Sequence, residues 1–534
     1  MFTSEPSTST TSFHEVVDLE GTLAGSAVVA QRPTLTVVNG SSAADRDRNL
    51  AVATQGLLAR APDESAHRVI TGAQTRAAGA LVCAAIAGLV LYPIPAVIAC
   101  NALVTLFYAS LSLYKLALVR RALGRGLELP VTDEEVAALD DGELPVYTIL
   151  VPLYREAAVL PRLVQSLARL DYPSAKLDVK LLFEADDAET LAAARELRLP
   201  PHFDLLVVPD SQPKTKPKAC NVGLLHAEGE FVVIYDAEDR PDPDQLKKVV
   251  VAFRKADPTV RCIQCKLSYF NRTQNLLTRW FTIEYATWFD LLLPALGSSS
   301  APVPLGGTSN HFYRESLVDL GAWDPFNVTE DADLGVRLHR HGLRTAIVDS
   351  TTYEEANSEV YNWIRQRSRW MKGYAQTWLV HMRRPLWLRR QIGWRNWFSF
   401  QMTVGGTVLV ALLNPIYWLL TALWLATHFG VIGSCFPGFV YVPAAAGFYV
   451  GNFAFVSMNM LGALRRGHRD LVKYALLSPI YWGLASLAAW KGVLQLCYRP
   501  FYWEKTNHGL DAATPRPSAA GWLAPTVGAA GIEA

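Results

Sequence analysis

Residues 146–156 read VYTILVPLYRE, and residues 231–243 read FVVIYDAEDRPDP. Each is an apolar run of strand length that ends abruptly in charged residues. A strand buried on both faces needs such a continuous run, whereas a half-buried strand would alternate. VKLLFEADDAET (179–190) and the run at 204–208 have the same form. Strands are therefore expected at 146–151, 179–184, 204–208 and 231–236. Helical patterns separate them, which predicts an α/β domain with a mostly parallel sheet covered by helices. In such sheets ligands bind at the carboxyl ends of the strands, so the residues just after each run are where chemistry is expected.

The composition changes on either side of this domain. Of 534 residues 50% are apolar and only 19% charged. Lys plus Arg (50) balance Asp plus Glu (49) to a net +1, so no global field attracts a polyanion and nucleic acid is not an expected partner. Residues 1–75 are rich in small polar residues, lack a signal-peptide pattern and are expected to be a disordered N-terminal tail. Residues 77–118 carry almost no charge, Lys115 excepted, and Tyr92-Pro93-Ile94-Pro95 divides them into two stretches of bilayer-spanning length, so 76–118 is expected to be a transmembrane helical hairpin.

Residues 119–380 hold the α/β domain. HMRRPLWLRRQIGWRNW (381–397) interleaves five arginines with three tryptophans, as an amphipathic helix in the headgroup layer would. Residues 398–470 are expected to contain transmembrane helices and end in Arg465, Arg466 and Arg469, which places that end and the α/β domain on the cytoplasmic face of the cell (inner) membrane. Residues 471–510 suit an in-plane helix interrupted by Pro479, because the basic sequence that follows belongs on the same side; two more crossings are the alternative. A short tail, 511–534, closes the chain. Seven cysteines form no disulfide framework, and the one CxxC pair, Cys262 and Cys265, points to opposite faces of a strand.

The first strand delivers Pro152, Tyr154, Arg155 and Glu156, the next Glu184, Asp186 and Asp187, and another Asp236, Glu238 and Asp239. Singly these read as turn formers and helix caps. Brought to one crevice they are what Mg²⁺ or Mn²⁺ requires, with substrate phosphates completing the shell. Lys214, Lys216 and Lys218 could face phosphate or merely solvent. Thr329, Glu330 and Asp331 suit a helix start, and Gln366 and Trp370 share one helical face.

Together these segments resemble the membrane-integrated family-2 glycosyltransferases, the group of bacterial cellulose, curdlan and hyaluronan synthases, over roughly residues 80–510. The resemblance rests on Asp236-Ala237-Glu238-Asp239, Thr329-Glu330-Asp331 and Gln366-Arg367-Ser368-Arg369-Trp370. It implies a GT-A-like cytoplasmic domain inserted between transmembrane α-helices. Tyr154, Glu156 and Asp186 then match nucleotide contacts and Lys218 the basic segment near the diphosphate. Asp236 and Glu238 take the metal positions, with Glu238 or Asp239 completing the site. Asp331 matches the general base, while Glu330, Gln366, Arg369 and Trp370 match the acceptor and pyrophosphate group. PFYWEKTNHG resembles the gating loop, with Trp503, Lys505, Thr506 and His508 as its candidates.

The resemblance implies an inverting, metal-dependent β-glycosyltransferase using a nucleotide sugar, most simply a UDP-sugar, with a glycan or lipid-linked acceptor. A processive polysaccharide synthase, with accessory export subunits as possible partners, is the leading expectation. A non-processive transferase acting on a lipid or lipid-linked acceptor is the alternative, and a transporter or inactive assembly partner the third reading.

Overall fold

The computed structural model describes residues 43–124, 126–506 and 509. Its centre is an eight-stranded sheet formed by β1 (Tyr147–Leu153), β2 (Leu177–Glu184), β3 (Phe203–Val208), β4 (Phe231–Ile234), β5 (Arg240–Pro241), β6 (Val260–Tyr269), β7 (Asn310–Tyr313) and β8 (Arg344–Glu354), in the order β3-β2-β1-β4-β7-β6-β8-β5. β1 pairs in parallel with β2 and β4, and β2 with β3, while β7 runs antiparallel between β4 and β6. This is the α/β, GT-A-like layering expected. Alternate residues of one strand feed two separate cores: Leu150, Leu182 and Ile234 pack on one face, Ile149, Leu181 and Val233 on the other. Both faces being dry, the strands read as unbroken apolar runs. Cys262 and Cys265 fall in opposite cores as free buried thiols.

β4 ends at Ile234, two residues earlier than expected, because the next residues leave the ladder to form a tight turn in which the Asp236 N–H donates to Asp239 Oδ2 (2.8 Å). The carboxyl ends of β2, β1 and β4 therefore open onto one edge.

The expectation of a disordered tail to residue 75 is corrected for residues 43–75; residues 1–42 lie outside the described residues. Ala43–Arg60 is a helix that buries Ala53 and Leu57, one turn apart, against the domain. Asn221 Nδ2 donates to the Ala53 carbonyl (2.9 Å), and Glu64 pairs with Arg340 (3.2 Å). The short apolar stripe carries too weak a period to stand out in the sequence and becomes ordered only by docking.

Among the described residues, five helical segments are long and apolar enough to cross a membrane: Gly72–Leu91, Pro93–Ala122, Pro385–Thr427, Gly438–Arg465 and Arg469–Tyr498. The first two meet at Tyr92-Pro93. The single amphipathic helix expected over 381–397 is instead split: Val360–His381 ends first, and Pro385–Phe400 bends at Gly393 (φ 79°, ψ 160°), a backbone region open essentially only to glycine. Pro479 marks the junction between the 3-10 stretch Arg469–Leu477 and helix Ser478–Tyr498. Both flanks of that helix are tied to the α/β domain, by Arg466–Asp290 (2.6 Å) before it and Lys505–Glu156 (2.9 Å) after it.

Candidate active site

The strand ends and the helices below them enclose one cavity of about 1070 Å³ that runs from the sheet edge down between the membrane-type helices. On the sheet side it is lined by Tyr154, Glu156, Lys214, Lys216, Asp236 and Glu238. Below them come Glu330, Asp331, Gln366, Arg369 and Trp370, and beyond those Tyr108, Lys115, Trp418, Phe455 and Trp482.

At the outer rim exposed Asp186 pairs with Lys214 (2.8 Å) and accepts from the Tyr154 hydroxyl (3.4 Å). The Lys214 ammonium holds the Asp186 carboxyl below its usual pKa. Arg155 adopts a left-handed backbone (φ 56°), and its N–H donates to Asp187. That turn aims Tyr154 and Glu156 along the rim.

Lys218 is corrected. It is fully buried beneath the crevice and donates to Glu184 (2.9 Å) and the Pro209 carbonyl (3.3 Å). Lys216 occupies the cavity instead, bonded to Asp236 and the Gly307 carbonyl (2.8 Å). The helix Lys216–Leu225 begins here, and two residues are about 200° of rotation, so neighbouring lysines of KTKPK face opposite ways. Burial disfavours the Lys216 ammonium, but Asp236 and Glu330 outweigh it and keep it charged.

Asp236 and Glu238 line the cavity; Asp239 does not, since its carboxylate turns inward to accept from the Asp236 N–H and the Thr308 hydroxyl. Asp239 thus shapes the turn, and Glu238 is the second cavity-facing acid. Glu354, at the end of β8, is a further cavity-lining carboxylate that the sequence pattern did not single out. Burial, then repulsion by neighbouring acids (Asp236 and Glu156 on Glu238, Asp236 and Glu238 on Asp239, Asp239 and Glu238 on Glu354), raises the pKa values of Glu238, Asp239 and Glu354 well above normal. Among the described residues no three His, Cys, Asp or Glu side chains form a complete metal cage. The donor set still fits Mg²⁺ or Mn²⁺, which use one or two carboxylates with substrate phosphates and waters.

Thr329 stands at the N-cap of the helix Glu330–Arg340 without a side-chain capping bond, and Asp331 is half-buried on the cavity with Oδ1 accepting from the Ala332 N–H (2.7 Å). Burial raises both acids. With Asp331 next to it, buried Glu330 is pushed up to about 8.

Helix Val360–His381 presents Gln366, Arg367, Arg369 and Trp370 to the cavity and buries Ser368. Gln366 accepts from Asn357 (2.8 Å). The Trp370 ring lies nearly parallel to Tyr285, with centroids 6.4 Å apart, and the Arg367 guanidinium sits 4.7 Å over it. Arg369 stacks on Trp503 (4.4 Å). Lys505 bonds the Tyr154 and Arg155 carbonyls and Glu156, pinning the segment after Tyr498 across the crevice. Thr506 is buried on the cavity wall, its hydroxyl without a partner among the described residues. His508 lies outside the described residues. The resemblance could point to Trp503; Lys216 and Glu354 needed the helix phase and the strand order.

The site thus lies on an α/β scaffold joined to membrane-type helices. Residues 145–373 match the model of the family described as Glycosyltransferase like family 2. The beta-monoglucosyldiacylglycerol synthase of Synechocystis sp. is 28% identical over 286 residues, covering 51% of this chain and 58% of that protein. The probable glycosyltransferase YdaM of Bacillus subtilis is 24% identical over 234 residues, 43% of this chain and 56% of its own. The probable glucomannan 4-beta-mannosyltransferase 3 of Arabidopsis thaliana is 25% identical over 257 residues, 47% and 46% respectively. The chain thus spans about half the length of the curated relatives it matches. Among solved structures, the mannosyltransferase PcManGT from Pyrobaculum calidifontis, in complex with GDP-Man and Mn²⁺, aligns over 74% of this chain and 99% of its own at 21% identity and a TM-score of 0.45.

Proposed function

We propose that the protein transfers a sugar, with inversion, from a nucleotide-sugar donor to the hydroxyl of an acceptor held in the membrane, on the cytoplasmic face. The carrying observation is the continuity of one cavity from the acids after β4 past Asp331 and Trp370 to the membrane-type helices. That path would bring a hydroxyl on a membrane lipid to Asp331 from the side of the membrane-type helices. The relatives named as glucosyldiacylglycerol synthases support this reading of the acceptor.

Tyr154, Asp186 and Lys214 would hold the nucleoside, and Lys216 and Arg369 would face the diphosphate. Asp236 and Glu238 would bind Mg²⁺ or Mn²⁺, which supplies charge stabilisation for the departing diphosphate. The Asp331 carboxylate takes the proton of the acceptor hydroxyl as its oxygen attacks C1 opposite the leaving nucleotide, so an α-linked donor gives a β-linked product. Lys505 and Trp503 close the crevice and exclude water.

A second reading, processive glycan synthesis, is favoured by the flat Trp370 face beside Tyr285, on which a sugar ring could slide. Chain-length analysis of the product made with excess donor, for UDP-glucose, UDP-GlcNAc and GDP-mannose in turn, separates the two. Single-sugar lipid adducts are expected; polymer would establish the second reading, and no transfer from any donor would overturn both.

A further inference from the structure

Lys115 is the one charged residue in the stretch 77–118. It lies in helix Pro93–Ala122, seven residues before the end and so about 10 Å along the axis from it. An ionisable group at such a position is costly to insert and ordinarily has a partner or a ligand. Its side chain lines the cavity described above, and the ammonium stands 5.2 Å from the Phe455 ring centroid. Among the described residues it has no ion pair or hydrogen bond. The acid whose field reaches it, Glu284, already accepts from both terminal nitrogens of Arg367, Nη1 at 2.9 Å, and from the Tyr481 hydroxyl (2.6 Å). The Lys115 amine therefore lines the cavity beside the Phe455 ring with no anion bonded to it among the described residues.

The geometry points to an anion subsite at Lys115 that takes the phosphate of an anionic lipid headgroup in the membrane half of the cavity. Ser112, three residues earlier and so on the same helical face, also lines the cavity and brings a hydroxyl to the same anion. The source is a lipid because the walls at this level are membrane-type helices carrying Trp418, Phe455 and Trp482, and basic pockets between such helices are where phosphate headgroups seat. The inference rests on the cavity being the acceptor site. It adds that the lipid admitted there carries negative charge, with the anion held at Lys115.

The test is lipid retention by the full chain in nanodiscs of phosphatidylcholine doped with phosphatidate or with diacylglycerol, read by native mass spectrometry. Nucleotide affinity, read by calorimetry, serves as the folding control. Wild type is expected to retain phosphatidate over diacylglycerol. Lys115→Met should weaken that retention roughly ten- to a hundredfold, the scale of one hydrogen bond to a charged group, with nucleotide affinity kept; Lys115→Arg should restore it. If Lys115→Met does not fold, Ser112→Ala carries the same test with a smaller loss. Equal retention by Lys115→Met and wild type would overturn the subsite, and displacement of the lipid by inorganic phosphate alone would overturn its lipid source. Phosphatidate retention that depends on Lys115, in a protein that transfers sugar from no donor, would overturn the transferase reading and leave the subsite standing.

Discussion

Replacing Gly373 by Ala tests whether the two catalytic helices are held at a fixed separation. Helix Val360–His381 crosses the start of helix Glu330–Arg340 at this glycine. A Cβ there would stand 2.7 Å from Thr329 Cβ and closer still to its Oγ1 and Cγ2. Carbon atoms pack at about 3.5–4.0 Å, so the helices must part by about 1 Å. Thr329 has little room to yield, since its N–H donates to Asn327 (3.0 Å), whose amide donates to Thr377 (2.9 Å) on the crossing helix. The displacement passes to Asp331, two residues on, and to Arg369, one turn before Gly373. Overpacking of this kind costs roughly 1–3 kcal/mol, and a 1 Å error between reacting groups costs on the order of 10²-fold in rate. Gly373→Ala should thus lower kcat about 100-fold while nucleotide affinity, proposed to rest on Tyr154, Asp186 and Lys214 across the crevice, changes by less than about threefold. Radiolabelled sugar transfer in detergent, with titration calorimetry and thermal unfolding on the same preparation, measures all three quantities. Wild-type turnover in a folded Gly373→Ala protein would refute the reasoning.

Asp331→Asn should keep the Ala332 contact through its amide oxygen and lose roughly 10²–10⁴ in turnover, with donor affinity nearly unchanged. Because burial raises the Asp331 pKa and the reaction needs the carboxylate, wild-type rate should rise as pH climbs through that raised value and fall as pH drops through it; a rate flat down to the ordinary Asp range near 3.9 would count against the assignment. Asp236→Asn should abolish metal-stimulated transfer and leave the Lys216–Gly307 contact in place, so undiminished activity of this variant, or of wild type in EDTA, argues against a metal at that turn. Lys505→Gln removes the bonds that pin the crossing segment to Tyr154, Arg155 and Glu156, and donor hydrolysis relative to transfer should increase; an unchanged ratio would show that the segment does not exclude water.

Local sequence was sufficient wherever the physics is local. The runs at 146–151 and 179–184 could be read as strands because both faces are dry, and the break at Tyr92-Pro93 because proline cannot continue the preceding helix. The clustering of Asp236, Glu238 and Asp331 was expected from the family resemblance and from the rule that parallel strands present their carboxyl ends to one edge. Tertiary structure decided what depends on rotation and on partners. Lys216 and Lys218 are indistinguishable as letters, yet a 200° turn sends one to the cavity and the other beneath the sheet to Glu184. Asp239 reads as well as Glu238 for a cation until the turn commits it to the Asp236 N–H and Thr308. Glu354 enters the site because β8 lies beside β6, a pairing between residues far apart in the chain. The helix Ala43–Arg60 was illegible for the same reason: its stripe of Ala53 and Leu57 is too short to stabilise a helix alone, and it forms because the domain supplies the other half of the contact.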